Sequence, residues 1–89
     1  MYRVILVEDE VKVREGLKYL IENITQGFEV IDKASDGEEA LLKISLLKPD
    51  LVITDVKMNK MNGIEMIKNL REHEPELIVV IISGYDDYR

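Results

Sequence analysis

Four short apolar runs punctuate the chain, and segments of helical period separate them. Val4-Ile5-Leu6-Val7 is continuous, mostly β-branched, and ended abruptly by Glu8, Asp9 and Glu10. Such a run reads as a strand buried on both faces. Val13, Leu17, Leu20, Ile21 and Ile24 then recur at spacings of three and four, which is one face of a helix, and Gly27 can stop it. Residues 28–33 are a second strand candidate, with Phe28, Val30 and Ile31 apolar. Asp36-Gly37-Glu38-Glu39 has the pattern of a capping box, with Asp36 as N-cap and Glu39 reaching back. The helix it opens places Ala40, Leu41, Ile44 and Leu47 on one side and is closed by Pro49. Leu51-Val52-Ile53-Thr54 is the third run, and Asp55 follows at once. After a polar, Met-rich loop over 58–62, Asn62 and Glu65 repeat the cap pattern, and Ile64, Ile67 and Leu70 predict that helix's inner face up to Pro75. Residues 77–82 are the fourth and longest run, Ser83-Gly84 turns away from it, and Asp86 is placed to cap a further helix. Strands of the buried type alternating with helices predict a parallel α/β sheet covered by helices on both faces.

At 89 residues the chain holds at most one domain. Its 46% hydrophobic and 34% charged residues are the balance of a globular domain. The formal net charge of -6 argues against this segment gripping nucleic acid or an anionic membrane surface. There is no Cys, so disulfides and thiolate metal sites are excluded. The short apolar run after Met1-Tyr2-Arg3 gives way to acidic residues, which suits neither a signal peptide nor a membrane span. The cytoplasm is the expected location.

In a parallel α/β sheet, ligands bind beyond the carboxyl ends of the strands. Strand one ends in Glu8 and Asp9, strand three in Asp55, and strand four in Ser83. If strands one and three are neighbours, three carboxylates meet in one small pocket, where their charges repel and burial sharpens the repulsion. A divalent cation relieves it, and an all-oxygen donor set suits Mg²⁺. A carboxylate beside Mg²⁺ is also a nucleophile toward phosphorus, giving an aspartyl phosphate. Ser83 is placed to hydrogen-bond the new phosphoryl oxygens.

With these motifs in order, Val7-Glu8-Asp9-Glu10, Ile53-Thr54-Asp55-Val56-Lys57-Met58, Met61-Asn62-Gly63 and Ile82-Ser83-Gly84, the sequence resembles the receiver domains of two-component response regulators. Ser83-Gly84-Tyr85-Asp86-Asp87-Tyr88 further resembles the branch that precedes an AraC-type DNA-binding output domain. The resemblance implies a flavodoxin-like (CheY-like) three-layer fold. It implies Asp55 as phosphoacceptor and metal ligand, Asp9 as metal ligand, and Glu8 as a ligand acting through water. Lys57 would give its backbone carbonyl to the metal, and Ser83 would be the switch hydroxyl. It further implies Mg²⁺ as cofactor, a sensor histidine kinase as phosphoryl donor, and a regulatory domain rather than an enzyme. The output would be transcription control. Asn59 stands where the family commonly has Pro, and Glu8 where many members have Asp. Against the family's five strand–helix units in the order 2-1-3-4-5, the chain reads as a receiver domain over 1–89 truncated after the fourth strand. The family's strand-five Lys and aromatic switch residue find no counterpart. Strand four is then an exposed apolar edge, so self-association or segment swapping is expected.

Blander readings stand beside these. Asp9 and Glu10 can simply favour a helix start through the dipole. His73 falls on the polar side of its helix and reads as a solvated surface residue. Met58, Met61 and Met66 read as packing and loop anchors. Two other classes compete. A haloacid-dehalogenase-type phosphohydrolase also places an Asp after a strand, but it wants a second Asp two positions on, where Lys57 stands. A pure interaction module would leave the acidic trio uncompensated, at a cost in stability.

Overall fold

A computed structural model of the chain describes residues 1–58 and 60–82. The elements run β1 (Tyr2–Val7), α1 (Val11–Asn23), β2 (Phe28–Ala34), α2 (Gly37–Leu47), β3 (Leu51–Asp55), α3 (Gly63–His73) and β4 (Ile78–Ile82). The four strands form one parallel sheet in the order β2-β1-β3-β4. The expected parallel α/β architecture is therefore present, with strand four at an edge.

Chain direction across the sheet reverses between the first and second crossovers. Right-handed connections then put α1 on one face and α2 with α3 on the other. Side-chain parity agrees. Ile5 and Val7 of β1 and Val52 of β3 join Ala40 and Ile44 of α2 and Met66 and Leu70 of α3 in one buried cluster. Val4 and Leu6 point to the opposite face and are equally buried. The α1 helix, which packs on β2 and β1, buries none of its residues fully. Its apolar stripe is only half covered, with Val13, Leu20 and Ile24 exposed.

Helix ends follow the sequence signals with two corrections. Asn62 and Glu65 form the full reciprocal capping box. Asp36 accepts from the Glu39 amide at 2.9 Å, but the Glu39 carboxylate turns instead to the Ser35 amide and hydroxyl. Those two donors, with Lys43, hold the Glu39 carboxyl down at about 2. The inner face of α3 also differs from expectation. Ile64 is exposed, whereas Met66 and Leu70 are buried and Ile67 is partly so. Gly63 explains the rotation: its close approach to β3 fixes the start of the helix and turns position 66 inward. The C-terminus of α2 is finished by Lys48 at φ 50°, and the Arg3 guanidinium donates to the carbonyls of Leu47 and Lys48 at 2.7 and 2.6 Å. Pro49 follows that turn, as expected.

Candidate functional site

The direction of crossover changes between β1 and β3, which are adjacent and parallel. Beyond their carboxyl ends a crevice opens, because α1 leaves on one side and α3 on the other. Pairing of Val7 with Thr54 sets the register. That register brings Glu8 and Asp9, just past β1, level with Asp55 at the tip of β3.

One carboxylate oxygen from each of Glu8, Asp9 and Asp55 lies within 4.8 Å of the others. Glu8 is buried, at 4% exposure, while Asp9 and Asp55 are half-buried. Burial is the main reason the Glu8 carboxyl is pushed up to about 7. The facing Asp55 and Asp9 add to the shift, and the Glu10 amide, donating to Glu8 at 3.0 Å, opposes it. One Asp55 oxygen accepts from the Val56 amide at 2.7 Å. The crowded oxygens therefore need either a proton or a cation among them. An all-oxygen set of this charge fits a hard divalent ion such as Mg²⁺.

The surroundings hold this cluster in place by backbone contacts that the motif reading did not single out. Thr54, fully buried, donates its hydroxyl to the Asp55 carbonyl at 2.8 Å. Arg14 reaches back from α1 to donate to the Glu8 carbonyl at 2.8 Å, and the Glu8 amide donates to Ala34 of β2 at 2.9 Å. The Gly63 amide donates to the Val56 carbonyl at 2.9 Å, and a Cβ at Gly63 would collide with the Asp55 carbonyl oxygen. The sequence signals for these were faint: a hydroxyl residue inside an apolar run for Thr54, and a glycine directly after an N-cap for Gly63.

The other expected site residues divide. Lys57 is exposed on the loop directly after Val56. Ser83 lies outside the described residues, as do Asn59, Tyr85, Asp86 and Tyr88. His73 is an exposed residue of α3 with its ring Nδ1 3.3 Å from the Asn69 carbonyl oxygen, as its polar setting implied. Met58 and Met61 pack against the core cluster, and Met66 is part of it. Among the described residues no helix is long and apolar enough to cross a membrane.

A parallel α/β sheet with three carboxylates at the carboxyl ends of adjacent strands is the arrangement expected of a receiver domain. Residues 4–89 match the response regulator receiver domain family, and the chain belongs to it. It is 38% identical over 88 residues to the uncharacterized transcriptional regulatory protein YesN of Bacillus subtilis, covering 99% of this chain and 24% of that protein. It is 39% identical over 88 residues to the transcriptional regulatory protein HptR of Staphylococcus aureus, covering 99% of this chain and 34% of that protein. The chain thus spans about a quarter to a third of the length of these relatives. Among solved structures it resembles the response regulator TrrA of Thermotoga maritima in complex with Mg²⁺–BeF. That likeness has a TM-score of 0.88 and 35% identity, and it covers 100% of this chain and 75% of that one. It also resembles the REC domain of AraT, a response regulator from Geobacillus stearothermophilus, with a TM-score of 0.86 and 33% identity over 98% of this chain and 67% of that one. These likenesses agree with the flavodoxin-like, CheY-like fold, and the chain is a regulatory receiver domain of two-component response regulators whose relatives include transcriptional regulators.

Proposed function

We propose that Asp55 is the phosphoacceptor of this receiver domain and takes its phosphoryl group from the phosphohistidine of a sensor histidine kinase. The observation that carries the reading is the convergence of Glu8, Asp9 and Asp55 oxygens within 4.8 Å at the switch point of the sheet. The Mg²⁺–BeF complex of the similar TrrA supports it, since Be–F groups stand in for a phosphoryl group. Asp9, Asp55 and the Lys57 carbonyl would hold Mg²⁺ directly, and Glu8 through water. Bound there, the ion would screen charge on the transferring phosphoryl group. An Asp55 carboxylate oxygen attacks phosphorus. The P–N bond of the donor breaks, its electron pair stays with the imidazole, and that ring takes a proton from water. The Val56 amide, already donating to one Asp55 oxygen, restrains the carboxylate's orientation. Ser83 would contact the phosphoryl group as the switch hydroxyl.

The whole protein that carries this segment would act in the cytoplasm as a transcription regulator with an AraC-type DNA-binding output. That assignment is supported by the names of the relatives and by the run from Ser83 to Tyr88. The negative charge of the segment leaves DNA contact to the output domain. As a separate 89-residue polypeptide the chain would associate through the apolar β4 edge, by simple pairing or segment exchange.

The test is intact mass after incubation with Mg²⁺ and acetyl phosphate, with Asp55→Asn in parallel. A gain of one phosphoryl group that disappears in Asp55→Asn is expected. An equal gain in the variant would overturn the assignment of Asp55, whereas no gain in either protein would show that the 89-residue segment lacks a competent site and move the test to a chain that carries the strand-five Lys.

A further inference from the structure

The segment from Val56 to Asn62 connects β3 to α3, with Lys57 two residues after Asp55. Its base is closed by Gly63, whose amide donates to the Val56 carbonyl and whose missing side chain lets the Asp55 carbonyl approach. Its far end is held by another element. The Gly37 amide, at the first turn of α2, donates to the Met61 carbonyl at 2.9 Å. A Cβ at Gly37 would lie 2.8 Å from that carbonyl oxygen, 2.8 Å from Met61 Cγ and 3.0 Å from Met61 Cβ. One of those neighbours is backbone, so rotating the Met61 side chain away would not make room. Met61 in turn packs against the core cluster, which limits how far it can retreat. A methyl group at position 37 would therefore push the loop itself. Met61 lies two residues before Gly63, whose amide is bonded to the Val56 carbonyl, so the displacement reaches Val56 and the adjoining Lys57 through that contact. Gly37 is not forced by its own backbone here; close approach is the reason for it.

We propose that Gly37 is a positioning residue for the phosphoacceptor site, setting the place of the Lys57 carbonyl relative to the Asp55 carboxylate through its contact with Met61. The inference rests on the reading of Glu8, Asp9 and Asp55 as a Mg²⁺ site. Groups that orient metal ligands from outside the ligand set commonly change metal affinity by a factor of ten or more when altered. Gly37 acts at that remove: it touches neither the ion nor a carboxylate, only the loop that presents them.

The experiment compares Gly37→Ala with Gly16→Ala, a control at an α1 position where a Cβ meets nothing within 4 Å. Amide NMR signals of Val56 and Lys57 are recorded without metal, and Mg²⁺ affinity is then measured by titration. Gly37→Ala should move both signals in the metal-free protein and weaken Mg²⁺ binding roughly tenfold. Gly16→Ala should do neither. A merely structural role would lower the urea midpoint of Gly37→Ala while leaving the folded protein's Mg²⁺ affinity and the loop signals alone, and that result overturns the proposal. Should Gly37→Ala not fold, the unsubstituted protein decides: its Gly37 amide signal should shift in step with that of Asp55 as Mg²⁺ is added. A Gly37 signal that stays fixed overturns the proposal as well. Failure of the metal-site reading looks different, because then the unsubstituted protein and Gly16→Ala bind no Mg²⁺ either, and both conclusions fall together.

Discussion

Glu8 shows how one side chain links the stability of this protein to its chemistry. Its carboxyl titrates at about 7 in the folded chain, mainly because it is buried, against an ordinary value of 4.5. A raised carboxyl pKa means that folding favours the neutral form. The stabilising difference is complete below pH 4.5 and is lost as pH rises through 7. Without metal, the loss by pH 8 is on the order of 3–4 kcal/mol, since one pKa unit corresponds to about 1.4 kcal/mol. A divalent cation reverses the preference, because it stabilises the charged carboxylate that burial penalises. We expect urea unfolding in the absence of Mg²⁺ to show stability falling between pH 5 and pH 8, with Mg²⁺ restoring much of it at pH 8. Glu8→Gln should flatten the pH dependence, and it should weaken Mg²⁺ binding. A metal-free protein equally stable at both pH values would show that Glu8 carries no such burden. The same residue illustrates a conflict that a non-functional core would not retain: three carboxylates are held together at a strand end although each repels the others.

Helix starts and strand ends determine how far that strain is confined. The β3–α3 connection delivers Asp55 and then must begin α3 within a few residues, and the Asn62–Glu65 capping box supplies its first partners. Asn62→Ala should cost about 1 kcal/mol of stability, the usual value of a lost N-cap, with the dependence on urea concentration unchanged. An undiminished urea midpoint would mean that tertiary contacts at Gly63 already fix the start of α3. Much at this scale was legible from sequence. Apolar runs mark β1, β3 and β4, because a parallel strand covered on both sides needs no alternation, while the edge strand β2 was marked only by Phe28, Val30 and Ile31 among charged residues. The carboxylates Glu8, Asp9 and Asp55 were legible as neighbours for the same reason: parallel strands place their carboxyl ends together. Periodicity misled at Ile64, since the phase of α3 is set by the contact of Gly63 with the Asp55 carbonyl rather than by the helix's own apolar residues. It misled again at Glu39, where Ser35 offers two donors against the single Asp36 amide that a capping box would use. Gly37 and Thr54 were not legible as supports of the site. Their effect is exerted through backbone carbonyls, and a carbonyl's position depends on the fold and not on which residue bears it.

The two outer strands of the molecule differ in how their edges are protected. On β2 the chain carries Glu29, Asp32 and Lys33, the Glu22 carboxylate accepts from the Val30 amide at 3.1 Å, and Asp32 accepts from the Lys33 amide at 2.7 Å. Charge on the strand and side-chain acceptors on its amides discourage another strand from adding there. β4 reads Ile-Val-Val-Ile-Ile without a charge, and Ile78 is 61% and Val80 43% exposed. Parity puts Ile78 and Val80 on one face of the sheet, the face of Val4 and Leu6, where α1 packs chiefly on β1 and β2. Val13 and Leu20 of α1, the helix on that face, are exposed as well. Among the described residues an uncovered edge and a partly uncovered face therefore meet, and burying either gains hydrophobic free energy of about 25 cal/mol per Å2. The 89-residue chain should accordingly gain mass with concentration in sedimentation equilibrium, and Val80→Lys should shift it toward monomer by putting a cation where a partner strand must dock. A single monomer mass across the whole concentration range, in both proteins, would show that the charge of -6 outweighs this apolar surface. Salt separates the two forces, because it screens the repulsion and leaves hydrophobic burial intact. If repulsion is what restrains association, the unsubstituted chain will associate more strongly as salt is raised, and Val80→Lys will follow it only weakly.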